Sequence, residues 1–267
     1  MKTSEWLKKY DITLKKKFGQ NFLNSNNIPL KIAEKSGLTK NDYVIEIGPG
    51  AGTLTEELLK SAEAVHSFEI DYTLIPLLKD RFKDYNNFIL YNIDFLEYNL
   101  SEFNEKHPVY IANIPYNISS PILEKIFTET PDFKYAVLMV QKEFGERVAA
   151  ISGKDYSPLS IFVQTYCNVK KLIDVPSSNF IPQPKIDSVV IKLEPHNLYG
   201  KTDKKFFDFV HRCFSQRRKT IKNNLKNFCG NSDEILDKLE ISPMTRPENI
   251  SVDNYIKMFD LYKKMNP

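Results

Sequence analysis

The feature that most constrains the fold is a glycine-rich turn placed directly after a short apolar run. Residues 43–47, YVIEI, predict a buried strand, and EIGPGAGTLT at 46–55 continues it with Gly48, Gly50 and Gly52. Glycine is favoured where a backbone turns sharply and lets a ligand approach closely. This order predicts a strand, a ligand-binding turn and then a helix.

The spacing of the glycines indicates which ligand the turn accepts. A dinucleotide-binding turn places its third glycine one residue later than Gly52, where this chain has Thr53. A GxGxG turn with Glu46 in front of it instead favours S-adenosylmethionine as the cofactor. A tight turn without a ligand is the alternative interpretation, and the combination of strand, glycines and helix argues against it.

Two acidic residues follow the next two predicted strands. Glu69 closes the strand at 64–70, where a carboxylate can accept hydrogen bonds from both hydroxyls of a ribose. Asp94 follows the strand at 88–93 and is placed to accept from an adenine amino group. Either acid alone would more often be a solvated loop residue. Together, in register with the glycine turn, they predict a cofactor site.

Strands and helices alternate over the first part of the chain. Further runs at 108–114 and 135–141 predict strands, and the segments between strands have helical spacing. This alternation predicts an α/β fold with a doubly wound, Rossmann-like parallel sheet. Residues 159–167 and 188–195 predict two more strands, joined by a proline-rich loop as an edge hairpin.

The pattern changes near residue 198. Strand patterns stop there, and apolar residues at helical spacing follow, which predicts a second, smaller, all-helical domain. We therefore expect a cofactor-binding methyltransferase domain over residues 1–198 and a helical, RNA-binding domain over residues 199–267.

The stretch NIPYNISSP at 113–121 follows the fourth predicted strand and so reaches the same edge of the sheet. The exocyclic amine of a nucleobase is a poor nucleophile, because its lone pair is delocalised into the ring. The side-chain oxygen of Asn113 and the carbonyl of Ile114 can accept its two hydrogens, while Pro115 fixes the turn. Tyr116 can stack on the base, so the stretch predicts a clamp for an unpaired or flipped base. A helix start with a packing tyrosine is the alternative.

Positive charge is concentrated in two segments. The formal net charge is only +3, yet residues 201–228 hold nine Lys or Arg against two Asp, and residues 1–20 hold six Lys against two acidic residues. Two basic segments on an otherwise acidic body predict an anionic partner, with nucleic acid as the leading candidate.

The second basic segment contains residues at helical spacing. Arg218, Lys222 and Lys226 are four apart and predict one basic helix face, with Arg217 and Lys219 beside it. A run of charges is usually a solvated face. Because these residues follow a domain that is predicted to bind a base, we expect them to contact RNA phosphates. Such contacts position the enzyme without reading the RNA sequence.

Composition excludes several classes of protein. With 42% apolar and 27% charged residues the chain has the composition of a globular protein, and no apolar run approaches the ~20 residues that span a bilayer. The basic N-terminus lacks the apolar region of a secretory signal. The three cysteines are far apart, which predicts neither a disulfide framework nor a zinc site. We expect a cytoplasmic monomer that needs no metal and no membrane.

Six segments together resemble the ribosomal RNA adenine N6-dimethyltransferases that act on the small subunit, and they come in that family's order. They are FGQNFL (18–23), EIGPGAGTLT (46–55), ANIPYNISSP (112–121), QKEFGERV (141–148), FIPQPKIDSVV (180–190) and FSQRRKTIKNNL (214–225). The resemblance implies a class I S-adenosylmethionine-dependent methyltransferase. Such an enzyme dimethylates two adjacent adenosines in the hairpin loop near the 3′ end of small-subunit ribosomal RNA, late in assembly of that subunit.

The resemblance also assigns roles that the residues alone do not indicate. It implies cofactor contacts at Asn21 and Leu23, and a second aromatic wall for the target base at Phe180. Further cofactor contacts are implied at Gly48, Glu69, Asp94 and Asn113.

Three other functions compete with this interpretation. A large-subunit ribosomal RNA methyltransferase that confers macrolide resistance shares the clamp, but FSQRRKTIKNN is more similar to the small-subunit enzymes. A non-catalytic nucleic-acid-binding relative, such as a mitochondrial transcription factor, would not need intact cofactor and clamp residues. A nicotinamide-dependent dehydrogenase is disfavoured by Thr53 and by the lack of a hydride-handling His or Lys near the predicted crevice.

Overall fold

The computed structural model describes residues 2–13, 20–25, 27–199 and 204–265. The described residues fall into two compact units, one within Met1–Gly145 and Lys170–Pro195, the other within Glu146–Val169 and His196–Pro267. The second unit thus also takes in residues 146–169, ahead of the boundary that the sequence predicts near residue 198. The division of cofactor binding and RNA binding between two domains stays a prediction.

The described residues of the first unit are built around one sheet and a separate two-stranded ribbon. The ribbon consists of β1 (Phe22–Leu23) and β8 (Phe180–Ile181). The strands of the sheet are β2 (Tyr43–Ile47), β3 (Ala64–Phe68), β4 (Phe88–Tyr91), β5 (Val109–Asn113), β6 (Tyr135–Gln141), β7 (Cys167–Val175) and β9 (Ser188–Pro195), and their order is β4-β3-β2-β5-β6-β9-β7. The helices are α1 (Thr3–Lys9), α2 (Asn27–Ser36), α3 (Thr53–Ser61), α4 (Ile75–Arg81), α5 (Ser119–Glu129) and α6 (Lys142–Ala149), the last of which continues past the end of the unit at Gly145.

The predicted doubly wound sheet is confirmed. β2 pairs in parallel with β3 and β5, β3 with β4, and β5 with β6, whereas β9 pairs antiparallel with β6. Along the chain, β3 and β4 are added on one side of β2, and β5 and β6 are then added on its other side. Ligands of open α/β sheets bind outside the carboxyl ends of the strands at such a reversal, so the topology places a crevice between β2 and β5.

Burial explains why these segments form central strands. Val44, Ile45 and Ile111 are fully buried, as expected for parallel strands that are covered on both faces. Leu58 of α3 and Val190 of β9 lie in the same core as Val44 and Ile111, which is the main core of the unit.

The prediction of a strand at 159–167 is wrong. The structure has a helix, α7 (Pro158–Tyr166), followed by β7. Ser157 and Ser160 form a capping box, and Pro158 occupies the first turn, where its missing N–H costs nothing. This Ser-Pro start signal outweighs the β-branched composition of the segment. The strand predicted at 188–195 is confirmed as β9.

The described residues of the second unit beyond residue 203 are helical, as predicted. They form α8 (Lys204–Cys213), α9 (Ile221–Lys226), α10 (Ser232–Lys238) and α11 (Val252–Met265). Phe206, Val210, Ile221 and Tyr255 are buried in one core that these helices share. Within the described residues, we find no helix whose length and hydropathy would let it cross a membrane.

Candidate active site

A cavity of about 350 Å³ opens at the carboxyl ends of β2 and β5, where the topology predicts a ligand site. It brings together most of the residues that the sequence nominates for cofactor and base. Those that line it are Asn21, Leu23, Glu46, Gly48, Gly50, Glu69, Asp94, Asn113, Ile114, Pro115 and Tyr116. Gly52 and Phe180 do not line it.

The three glycines of the turn have different physical roles. All three have positive φ, and a Cβ on Gly48 would find no atom closer than Pro115 Cδ at 4.0 Å. A Cβ on Gly50 would lie 2.7 Å from the ring of Phe22, and one on Gly52 would lie 2.5 Å from the ring of Phe82. Gly48 therefore leaves open space for a ligand, whereas Gly50 and Gly52 are required by packing.

Glu69 is held in place by the backbone. Its carboxylate accepts hydrogen bonds from the N–H of Gly50 at 3.1 Å and of Asp71 at 2.8 Å, one on each oxygen. These hydrogen bonds favour the ionised carboxylate, but burial outweighs them and raises the pKa of Glu69 to about 7. A carboxylate oxygen can accept more than one hydrogen bond, so each one can also accept from a ligand hydroxyl.

Glu46 is buried and is held by two hydroxyl groups. Its Oε2 accepts hydrogen bonds from Thr55 Oγ1 at 2.8 Å and Ser67 Oγ at 2.7 Å, which ties β2 to the start of α3 and to β3. Burial raises the pKa of Glu46 to about 7. The residue therefore both lines the cavity and fixes the elements around the glycine turn.

Asp94 lies in the turn after β4. Its Oδ1 accepts a hydrogen bond from the N–H of Leu96 at 2.9 Å, which fixes the orientation of the half-buried side chain. The apolar neighbours Phe95 and Leu96 line the cavity with it, as does Ile70 after Glu69. The sequence analysis predicted only the two acids as cavity residues. The apolar residue that directly follows each acid would have indicated these apolar parts of the cavity wall.

The residues predicted to form the clamp present two hydrogen-bond acceptors at the cavity. Asn113 Nδ2 donates to the carbonyl of Asn21 at 3.2 Å, which turns the side-chain oxygen away from that contact. The N–H of Ile114 donates to the carbonyl of Met139 at 3.3 Å, and within the described residues no hydrogen bond to the Ile114 carbonyl is present. Two acceptors on consecutive residues are thus available at the cavity. The N–H of Ile118 donates to the carbonyl of Pro115 at 3.2 Å, which closes the turn.

The ring of Tyr116 is anchored at its tip. Its hydroxyl lies 2.6 Å from Oγ of Ser188, a fully buried residue at the start of β9. Burial raises the pKa of Tyr116, so the phenol stays protonated. The ring is half-buried and is held at both the backbone and the hydroxyl.

Phe180 does not reach the cavity in this structure. It lies in β8 opposite Leu23 of β1, and its side chain is 3% exposed within the main core. The ring supports the strand that carries Leu23. Its role as a wall for the target base stays a prediction.

In the second unit, the predicted basic helix face is only partly present. α9 begins at Ile221 after its cap Thr220, so Arg218 lies in the preceding turn and not on the helix. Lys222 makes an ion pair with Asp233 at 2.9 Å. The guanidinium of Arg217 donates to the carbonyls of Lys154 at 2.7 Å and Tyr156 at 3.0 Å.

These contacts separate the five nominated basic residues into two groups. Arg218, Lys219 and Lys226 are exposed, and we call them the basic surface. Arg217 and Lys222 are engaged by the protein itself.

The reversed strand order, the glycine turn after β2, and the acids that follow β3 and β4 define a class of protein. The fold is the Rossmann-like fold of class I S-adenosylmethionine-dependent methyltransferases, with a smaller helical C-terminal region. The family model for ribosomal RNA adenine dimethylase matches residues 12–264. The chain belongs to this family.

Curated relatives match over nearly their whole length. A ribosomal RNA small subunit methyltransferase A of Clostridium botulinum is 41% identical over 270 residues, covering 97% of this chain and 98% of the relative. The protein of the same name from Thermotoga petrophila is 42% identical over 265 residues, covering 99% and 97%.

Two solved structures are also similar. A dimethyladenosine transferase from Plasmodium falciparum has a TM-score of 0.80 at 33% identity, covering 91% of this chain and 98% of its own. The 23S rRNA methyltransferase ErmE has a TM-score of 0.72 at 24% identity, covering 91% and 100%, and this likeness concerns the fold.

Proposed function

We propose that the protein transfers methyl groups from S-adenosylmethionine to N6 of two adjacent adenosines in the 3′-terminal hairpin loop of small-subunit ribosomal RNA. Its partners are small-subunit ribosomal RNA and the assembling small subunit, in the cytoplasm. Membership of the adenine dimethylase family supports the reaction, and the two curated relatives named for the small subunit support the choice of RNA.

The observation that carries the proposal is the orientation of Asn113 at the cavity. Because its amide nitrogen is occupied by the carbonyl of Asn21, the side-chain oxygen is the atom that remains for a ligand. An N6 amine donates two hydrogens, and Asn113 Oδ1 with the Ile114 carbonyl supplies two acceptors. Their hydrogen bonds draw the lone pair of the amine out of the ring and toward the cavity.

The rest of the cavity fits the cofactor. Glu69 would accept hydrogen bonds from the ribose hydroxyls, Asp94 from the adenine amine, and the backbone at Gly48 would approach the amino-acid end. Asn21, Leu23 and Asn113 complete the wall. The sulfonium of S-adenosylmethionine supplies an already activated methyl group, which is consistent with an asparagine in the clamp instead of a strong base.

The target adenine must leave its stack to reach this cavity. Tyr116, with its hydroxyl anchored on Ser188, is suited to stack on the extruded base. After the first transfer only one N–H remains, so the monomethylated amine must rotate before the second. The basic surface contributes phosphate contacts that do not depend on sequence.

The proposal is tested by transfer of labelled methyl groups to unmethylated small and large ribosomal subunits in parallel, followed by nucleoside analysis. We expect N6,N6-dimethyladenosine in the small subunit alone. Label in large-subunit RNA would instead support a 23S rRNA methyltransferase, the activity for which ErmE is named. Cofactor binding without label in either subunit would support a nucleic-acid-binding relative.

A further inference from the structure

The short helix α1 packs against the outside of the cavity wall. None of its residues lines the cavity, yet Thr3 contacts residues that do, and Trp6 contacts Arg81, which is bonded to one of them. Sequence reasoning assigned this segment only a positive charge. Its contacts indicate a more specific role.

The first contact is made by Thr3, whose side chain is almost completely buried. Its hydroxyl donates to the carbonyl of Leu23 at 2.7 Å and lies 2.9 Å from Oγ1 of Thr53. Leu23 belongs to β1, Thr53 begins α3, and both residues line the cavity. One hydroxyl therefore joins three elements at the cofactor wall.

The hydrogens of this cluster can be assigned from its distances. Thr3 donates its single hydrogen to the Leu23 carbonyl, and its oxygen then accepts from Thr53. Without the Thr3 hydroxyl, Thr53 retains only a longer contact of 3.3 Å to that carbonyl. The carbonyl of Leu23 would lose its shorter hydrogen bond.

The second contact reaches the glycine turn. The ring of Trp6 lies 5.7 Å from the guanidinium carbon of Arg81. That guanidinium donates to the carbonyl of Ala51 at 2.6 Å, inside the turn, and to Glu56 at 2.5 Å. Leu7, on the same helix, is buried in the main core. Thus α1 is fixed to the body of the unit, contacts the cavity wall directly through Thr3, and is linked to the glycine turn through Arg81.

We propose that Thr3 is a positioning residue for cofactor binding, which acts by holding Leu23 against Thr53. The inference rests on the proposed function, because the cavity must bind S-adenosylmethionine for the effect to be seen. The wall contributed by β1 is a two-stranded ribbon with β8, and such short pairings are marginal on their own. The apparent affinity for the cofactor equals the intrinsic affinity multiplied by the fraction of molecules in which this wall is in place.

The sharpest test compares Thr3→Ser with Thr3→Ala in the full-length protein. Both variants lack the threonine methyl group, and only the serine keeps the hydroxyl. Alanine is well tolerated in a helix, so we expect both proteins to fold. The Kd for S-adenosylmethionine should be about fivefold higher for Thr3→Ala than for Thr3→Ser, the effect of one buried hydrogen bond. The kcat at saturating cofactor should agree within about twofold.

Lys8→Ala is the matched control on the same helix. It shortens an exposed side chain and leaves Thr3 and Trp6 in place, so the Kd should match that of the wild type. Equal Kd values for Thr3→Ser and Thr3→Ala would overturn the proposal, whether or not the Tm differs. A wild-type protein that fails to bind S-adenosylmethionine would refute the proposed function instead, and the two failures are therefore distinguishable.

Discussion

The cavity and the basic surface position their functional groups in opposite ways. In the cavity, Glu46, Glu69 and Asn113 each make hydrogen bonds within the protein that fix the side chain before any ligand arrives. On the basic surface, Arg218, Lys219 and Lys226 are exposed. In the proposed function, groups of the first kind act through geometry, and those of the second kind act through charge.

This difference determines how each region should respond to change. A pre-organised buried group loses its function when one atom is replaced, because its partners are left unsatisfied. An exposed cation can be replaced by another nearby, and salt screens its effect. Substitutions that remove a cavity group in direct contact with the ligand should therefore have large effects on the reaction, and those on the basic surface should alter RNA affinity gradually.

The largest effect is expected from Asn113→Ala. The substitution removes the side-chain acceptor, and the rate of methyl transfer should fall by about 100-fold or more, as for the loss of one preorganised hydrogen-bonding group in an active site. Isothermal titration should still detect cofactor binding. Asn99→Ala, at an exposed turn outside the cavity, serves as a control. Full activity of Asn113→Ala would remove the residue from the mechanism.

A large loss of stability is expected for Gly52→Ala. The added Cβ would lie 2.5 Å from the Phe82 ring at a φ of +81°, so strain and overpacking together should cost about 2–4 kcal/mol of unfolding free energy. Gly230→Ala, where no atom lies within 4 Å of the added Cβ, is the control. Urea denaturation measures both. Equal stability of the two variants would contradict the packing role of Gly52.

Glu46→Gln should change how stability depends on pH. The folded pKa of about 7 lies above the ordinary value of 4.5, so the stability from this carboxyl is fully present below pH 4.5 and is lost as pH rises through 7. The amide cannot ionise, and its oxygen can still accept from Thr55 and Ser67. The free energy of unfolding of the variant relative to the wild type should rise from pH 4.5 to 7, by up to about 3 kcal/mol. A pH-independent difference would contradict the raised pKa.

A gradual effect is expected when Arg218, Lys219 and Lys226 are all replaced by alanine. RNA affinity should fall, and the slope of log affinity against log salt should decrease by about 0.7–0.9 for each phosphate that the variant no longer neutralises. Replacing the exposed Lys31, Lys35 and Lys40 in the first unit removes the same charge and should leave the slope nearly unchanged. Equal changes in both variants would show that net charge alone matters.

The smallest effect is expected from Tyr116→Phe, which keeps the ring and removes its hydrogen bond to Ser188. Turnover should fall by about threefold, as for the loss of one neutral hydrogen bond. Ser188→Ala should have a similar effect, and the double variant should be no worse than either single one. Additive losses would indicate that the two hydroxyls act separately.

The sequence predicts the cavity well because its residues follow strands that periodicity identifies. Glu69 and Asp94 lie where parallel strands end, and the glycine turn fixes where the next helix begins. The segment 159–167 shows the limit of this reasoning, since its composition suggests a strand while Ser157 and Pro158 start a helix.

Interactions between distant parts of the chain could not be predicted from periodicity. Thr3 meets Leu23 and Thr53 only after folding, and no local pattern indicates this. Arg218 is a different case, because its helical spacing with Lys222 is interrupted locally by the turn before α9. A helix cap at Thr220 was the missed signal.

The salt dependence of methyl transfer tests most directly the claim that the cavity performs the chemistry and the basic surface supplies charge. Single-turnover rates are measured at saturating RNA, and RNA affinity is measured separately, both from low to moderate salt. We expect RNA affinity to fall steeply with salt while the saturated rate of transfer stays constant. A saturated rate that falls as steeply as affinity would contradict it, because the exposed charges would then take part in the chemical step.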